Sequence, residues 1–345
     1  MKYFFSIVII LFVLNACNNP KNNKSNQKQK YDYIAYNATI NEAEIFVLDS
    51  NYTDALRKYK KAFEMVDIPL AKHCFTAMQV SAIEDDETAF KKFSVIGMER
   101  GMLVNYYKED TIINRYLKTK QLDSFVESSF NSAHEVYKSS IDTFLGDTLN
   151  ALQDWDQKWK IYYMDSLSKI DSENEKLYRE EYDSIVSYLV EDYLMPLIEK
   201  HGYPGERLVG MEAVGYNKGS SYRRAYVHNE AKIILLHYYT FPRTCNYNKL
   251  LLKEVRNGNL LPEHYASILD FQAKFGNEEY CKVDYYNEWF RDPDTTHIKE
   301  IDKRRVEIGL STFKELNKKQ DRGHEKCKSI RKGVYNFVKL FHWCG

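Results

Sequence analysis

The chain has 345 residues, and its 49 basic and 49 acidic side chains leave a formal net charge of zero. Neither sign gathers into a run long enough to draw in a nucleic acid, so an electrostatic partner of that kind is not expected. Only 14 glycines and 7 prolines stand against 28 tyrosines and 18 phenylalanines, a composition of long helices and few tight turns that predicts a mainly α fold.

In chain order, Lys2 precedes an apolar run from Tyr3 to Leu14 that ends at Leu14-Asn15-Ala16-Cys17. The run is too short for a permanent membrane span, and it has the charged-then-apolar layout of a secretory segment with small Ala16 at the cleavage position. Residues 1–17 therefore read as a bacterial lipoprotein signal with Cys17 as the acylated residue, although Asn15 is untypical inside a lipobox. Each buried methylene of an acyl chain contributes about 0.8 kcal/mol, and two or more chains anchor durably, so membrane attachment needs no transmembrane helix. Asn18 to Gln29 is almost wholly Asn, Lys, Gln and Ser, which predicts a disordered tether over 18–35. The tether lacks the acidic residues of a surface-export signal, which favours a periplasm-facing position in the cell envelope.

Between residues 36 and 101 the chain repeats at a spacing of 34, the length of a tetratricopeptide unit. Ala43 aligns with Ala77, Phe46 with Val80, Ala55 with Ala89, Tyr59 with Phe93 and Ala62 with Ile96. The first hairpin is predicted from about Thr39 to Asp49 and from Thr53 to Val66, turning at Ser50-Asn51. The second starts near Pro69 as a first-turn residue and returns after Glu84-Asp85-Asp86. Because about three repeats complete a buried stack, 105–138 is expected to cap it with a degenerate helical pair, giving a helical segment over 36–140. Such a stack offers a groove to a peptide, or fills it with the chain's own following elements.

A helical domain is predicted over 141–320. Leu152, Trp155, Trp159, Tyr162 and Tyr163 recur at helical spacing, and a further helix opens at Asp171-Ser172-Glu173 with Leu177, Ile185, Leu189 and Tyr193 on its stripe. Pro196 is expected to kink its end, and Gly202 with Pro204 to stop it. Residues 321–345 read as a basic tail helix. Cys74 falls on an apolar face as a small hydrophobe. Cys245, Cys281, Cys327 and Cys344 allow three pairings, with Cys344 tied back to Cys327 or to another cysteine. None forms a C-x-x-C or a short Cys/His set, so no metal and no cofactor is expected.

His201-Gly202-Tyr203-Pro204-Gly205, followed by Leu208-Val209-Gly210, resembles the Gly-Trp-Pro-Gly…Leu-Val-Gly turn of a family of bacterial proteins of unknown function. Asp156-Gln157, Asp171-Ser172-Glu173-Asn174 and Leu236-His237 resemble its Asp-Gln, Asp-x-x-Asn and Gln-His motifs. Gly258, Pro262 and Asp270, then Arg304-Arg305 with Gly309-Leu310, resemble its later signatures. The resemblance spans roughly 150–315 and implies a domain that follows tetratricopeptide-like hairpins in lipoproteins of the Bacteroidetes. Leu236, Asp270-Phe271 and Tyr280-Cys281-Lys282-Val283 depart from the pattern, which implies a member that keeps the fold and lacks part of any polar site.

Two functional readings follow. In one, His237 is a base or ligand, Asp270 or Asp156 its orienting carboxylate and Arg305 an anion clamp, as in a hydrolase-like or small-ligand site. In the other, each is structural: a hydrogen-bonded core histidine in an apolar helix, and carboxylates that cap or pair with Arg304 or Arg305. The second leaves a non-catalytic scaffold that binds an envelope protein or peptide, with Ala43, Ala55, Tyr59, Ala77, Ala89 and Phe93 as repeat packing positions.

Overall fold

Side-chain caps set the boundaries of the first helices. In the computed structural model, which describes residues 31–212, 226–227, 230–276, 281–290 and 296–344, Asp32 accepts the Ala35 N–H and opens α1 (Tyr33–Leu48). Asn51 does the same for α2 (Tyr52–Phe63), and Asp86 for α4 (Glu87–Glu99), which follows α3 (Ala71–Ile83). Cys17, the signal over 1–17 and most of the tether lie outside the described residues. The tether ends earlier than its predicted limit at residue 35, because Tyr33 and Tyr36 are buried in the first helix. Pro69 lies two residues ahead of α3, where Leu70 is extended and its N–H is taken by the Tyr36 hydroxyl (3.0 Å).

The two hairpins pack through the aligned positions. Ala43, Ala55, Tyr59, Ala77, Ala89 and Phe93 are all buried, and Phe63 meets Phe93 edge-on at 4.9 Å across the repeat junction. Three helices follow: α5 (Val104–Glu109), α6 (Thr111–Lys120) and α7 (Asp123–Ser140). α6 packs on α3 and α7 on α4.

The second half begins with α8 (Thr143–Lys160), which runs into a π-helical segment over Ile161–Leu167 and a last turn, α9 (Ser168–Ile170). Asp171-Ser172-Glu173 does not start a helix. Asp171 accepts from Asn174 (2.9 Å) and Tyr178 (2.8 Å) around a 3₁₀ turn, and α10 starts at Glu175 and runs to Leu189. Its buried stripe is Tyr182, Val186 and Leu189, while Leu177 and Tyr193 are exposed. A π-helical turn over Val190–Leu194 precedes α11 (Met195–His201), which carries Pro196. The wide turn accommodates the proline ring and its missing N–H without breaking the rod. Gly202 then ends the helix at φ +92°.

Beyond it come α12 (Glu206–Val209), a two-residue antiparallel pair of β1 (Met211–Glu212) with β2 (Tyr226–Val227), and α13 (Glu230–Tyr238). α14 (Asn248–Arg256), α15 (Pro262–Phe275), α16 (Ile298–Glu307) and α17 (Phe313–Arg331) complete a mainly α architecture. Residues from Tyr31 onward form one unit holding two apolar cores. The first is built mainly from α1–α7, joined by Met211, Leu261, Val338, Leu340 and Trp343; the second is built mainly from α8–α15, joined by Tyr286 and Ile308.

The C-terminus departs from the predicted tail helix. α17 starts at Phe313 behind a Thr312/Glu315 capping box and stops at Arg331. The segment after it is non-helical and buries Tyr335, Val338, Leu340 and Trp343, all but Tyr335 in the core of the first hairpins. Asn336, Lys339 and His342 recur at every third position with apolar pairs between them, and the segment takes neither helix nor strand. Gly323 in α17 admits the Trp343 ring, since a Cβ there would stand 2.6 Å from it. Cys327 and Cys344 are joined as a disulfide, with Cα atoms 5.2 Å apart.

The bridge closes a loop with a sequence separation of 17. Chain-entropy arguments give such a loop about 3 kcal/mol of stabilisation. Replacing Cys327 by Ser is therefore expected to lower denaturant stability by about that amount; an unchanged midpoint and slope would show that the tail is not held by the bridge.

Candidate functional site

Four side chains were singled out from the sequence as a reactive set, and the fold sorts them into two pairs. Asp156, on α8, is buried, and its Oδ2 accepts from His237 Nδ1 at 2.7 Å and from Gln157 Nε2 at 2.9 Å. Its Oδ1 accepts the Tyr182 hydroxyl at 2.7 Å. His237, on α13, keeps 18% of its side chain exposed. With Nδ1 turned to the carboxylate, Nε2 is the ring nitrogen that Asp156 does not engage. Burial, reinforced by Asp156, pushes the Tyr182 hydroxyl far above its ordinary range, so it stays a donor to the dyad.

Asp270 is not the partner of His237. It is fully buried on α15, where Oδ1 accepts the N–H groups of Tyr286 (2.7 Å) and Asn287 (3.2 Å). Oδ2 accepts those of Glu288 (2.6 Å) and Trp289 (2.9 Å). Burial pushes its carboxyl up, against the pull of the four N–H groups. Arg305 braces the same loop from the other side. Its Nε donates to the Ser311 carbonyl (2.7 Å), one terminal nitrogen to the Tyr286 carbonyl (2.8 Å), and the other pairs with Glu288 (2.9 Å). The guanidinium is thus spent on the protein itself, which removes the anion-clamp role expected of it. The Gly-Tyr-Pro-Gly turn is likewise structural: Glu254 Oε2 accepts the Tyr203 N–H (2.9 Å) and the Asn259 amide (2.7 Å).

Two further assemblies escaped sequence reasoning. The first is a peptide-like seat across α6, α3 and α17. Gln79 on α3 donates to the Lys339 carbonyl and accepts the Lys339 N–H, both at 3.0 Å. Phe75 meets Phe341 edge-on at 5.5 Å. The Tyr335 hydroxyl donates to Asp110 (2.6 Å), Thr111 donates to the Gly333 carbonyl (3.1 Å), and Trp343 Nε1–H donates to the Lys319 carbonyl (3.0 Å).

The second is a cavity of about 290 Å³ between α1, α3, α15, the α16–α17 turn and Phe341-His342. Its walls carry three acid–base pairs: Glu44 with Lys319 (2.6 Å), Glu263 with Lys72 (2.5 Å) and Glu288 with Arg305 (2.9 Å). Burial raises the Glu44 and Glu263 carboxyls, but the ammonium groups of Lys319 and Lys72 outweigh it and hold both below the usual range. Burial drives His73 and His264 down to about 3, with Lys72 and Lys232 respectively adding to the effect.

Among the described residues no group of three or more His, Cys, Asp or Glu side chains is placed to hold a metal ion, and no helix is long and apolar enough to cross a membrane. No known protein family, curated protein or solved structure matches this chain.

These shifts fix the sign of the pH dependence. The folded-state values of His73 and His264 lie below their ordinary value of 6.5, so the unfolded chain binds protons that the folded one refuses between pH 6.5 and about 3. Glu44 and Glu263 lie below 4.5, so their contribution is present above that pH and lost beneath it. Melting temperature is expected to fall continuously as pH drops below 6.5, and more steeply below 4.5. His264→Asn should flatten the upper part of that curve. A melting temperature constant from pH 7 to about 4 would contradict the buried, neutral histidines.

Proposed function

We propose that this protein is a membrane-tethered envelope lipoprotein, acylated at Cys17, whose tetratricopeptide-like hairpins work non-covalently by holding an extended peptide segment. The observation that carries this reading is the seat occupied by residues 333–343. There the Gln79 amide pairs with both backbone groups of Lys339, and the side chains of Val338 and Leu340 are buried. Main-chain hydrogen bonds for affinity and pockets for alternate side chains for specificity are what recognition of an extended peptide requires. Gln79 and Phe75 on α3, Asp110 and Thr111 at the start of α6 and Lys319 on α17 supply the seat. The resemblance of 150–315 to a domain found in Bacteroidetes lipoproteins agrees with a tethered protein.

The Asp156–His237 pair supports a second reading, a hydrolase-like or small-ligand site. An oriented imidazole with one nitrogen outward is a general base in waiting. Neither Asp270 nor Arg305 takes part in it, since both hold the 286–289 loop.

A labelled peptide of sequence Gly333–Cys344 separates the readings. With the Cys327→Ser chain it should bind at the seat by displacing the native segment, and Gln79→Ala should weaken it roughly tenfold, the worth of two hydrogen bonds of about 1 kcal/mol less compensation. Absence of binding to the Cys327→Ser chain, or indifference to Gln79→Ala, would refute the peptide seat. In parallel, Cys17→Ser should move the protein from the membrane to the soluble fraction; tight membrane association of that variant would refute the anchor.

A further inference from the structure

The cavity between α1, α3 and α15 differs from the peptide seat in its chemistry. Every charge on its wall named above is matched: Glu44 by Lys319, Glu263 by Lys72, Glu288 by Arg305. One donor there lacks a protein acceptor. The buried Tyr36 hydroxyl accepts the Leu70 N–H at 3.0 Å, so its single proton goes to His73 Nδ1 at 2.7 Å. His73 Nδ1 is then an acceptor and its proton resides on Nε2. His73 is only 5% exposed and lines the cavity, and no described residue accepts from Nε2.

We propose that this cavity binds a small zwitterion, of the class of a free α-amino acid or a dipeptide. The carboxylate of such a ligand takes the His73 Nε2–H and the ammonium of its neighbour Lys72, while the ligand's ammonium faces Glu263 or Glu288. A zwitterion adds one charge of each sign to walls already balanced, so the exchange of partners leaves no charge unmatched in a setting where an unmatched one is costly. A lone anion meets three carboxylates here, and a lone cation three basic groups. Volume points the same way: about 290 Å³ is at the lower limit of ligand pockets and suits few heavy atoms. An apolar molecule of that size would desolvate the ion pairs without replacing the lost contacts.

The test is calorimetric titration and thermal unfolding of the full chain at pH 7. Probes are glycine, larger α-amino acids and glycylglycine, set against acetate, ethylammonium and glycerol at matched ionic strength. The expected result is saturable binding of at least one zwitterion, with a rise in melting temperature, and no comparable response to the other three. Lys72→Gln should weaken the binding at least tenfold. Should that variant fail to fold, the ring ¹⁵N spectrum of the wild-type histidines reads the same contact: the His73 Nε2 resonance should shift with saturation. No saturable binding of any zwitterion up to about 10 mM, an equal response to acetate, ethylammonium or glycerol, or a His73 resonance indifferent to the ligand would overturn the proposal.

Discussion

The ammonium of Lys319 is buried, and all three of its protons find acceptors: Asn41 Oδ1 at 2.8 Å, Glu44 Oε2 at 2.6 Å and Ser311 Oγ at 2.8 Å. Two acceptors come from α1 and one from the turn before α17, so this one cation fastens the end of the chain to its first helix. Gly309 lets the turn approach: at φ +85° it lies over α1, where its carbonyl accepts the Asn41 amide at 2.7 Å. A buried ion pair is no gain over a hydrophobic pair of equal shape, but once present it penalises every arrangement that separates its members. It therefore acts chiefly on specificity, by fixing where α17 lies on the hairpins.

The course of residues 333–343 and the cavity both inherit that placement. Trp343 donates to the Lys319 carbonyl, Cys344 is joined to Cys327 on the same helix, and the preceding residues are thereby laid across α3. Phe341 and His342 close one side of the cavity, and the Glu44–Lys319 pair forms another. The Asp156–His237 dyad depends on neither. It is held between α8, α10 and α13 within the second core, beside a π-helical segment that ends the long α8 rod.

Local signals made the first hairpins legible. Asn51 and Asp86 are caps whose side chains accept from the helix they precede, and Ala and aromatic residues at a fixed spacing mark the faces that pack. α1 starts ahead of the expected Thr39 because Asp32, directly before Tyr33, caps it despite the polar composition of the preceding residues. The charge-rich sequence of α17 suggests a helix that carries on, whereas it ends at Arg331, two residues before Gly333 at φ +62°. His237 and Asp156, both candidates on sequence grounds, meet. Of the two roles open to Asp270, partner of His237 or structural cap, the sequence does not choose, because a carboxylate that gathers four backbone N–H groups has no distinguishing neighbours in sequence. The cavity was invisible for a related reason. Glu44 and Lys319 are 275 residues apart, and each alone reads as an ordinary surface charge.

A double-mutant cycle at Glu44 and Lys319, read by denaturant unfolding, tests the account most directly. Lys319→Met alone leaves a buried carboxylate without its cation and is expected to cost about 3–5 kcal/mol, whereas adding Glu44→Gln should recover most of that loss. Single substitutions that each cost less than about 1 kcal/mol, or a double variant whose loss is simply their sum, would mean that the pair is an exposed contact and that the chain's end is fastened elsewhere.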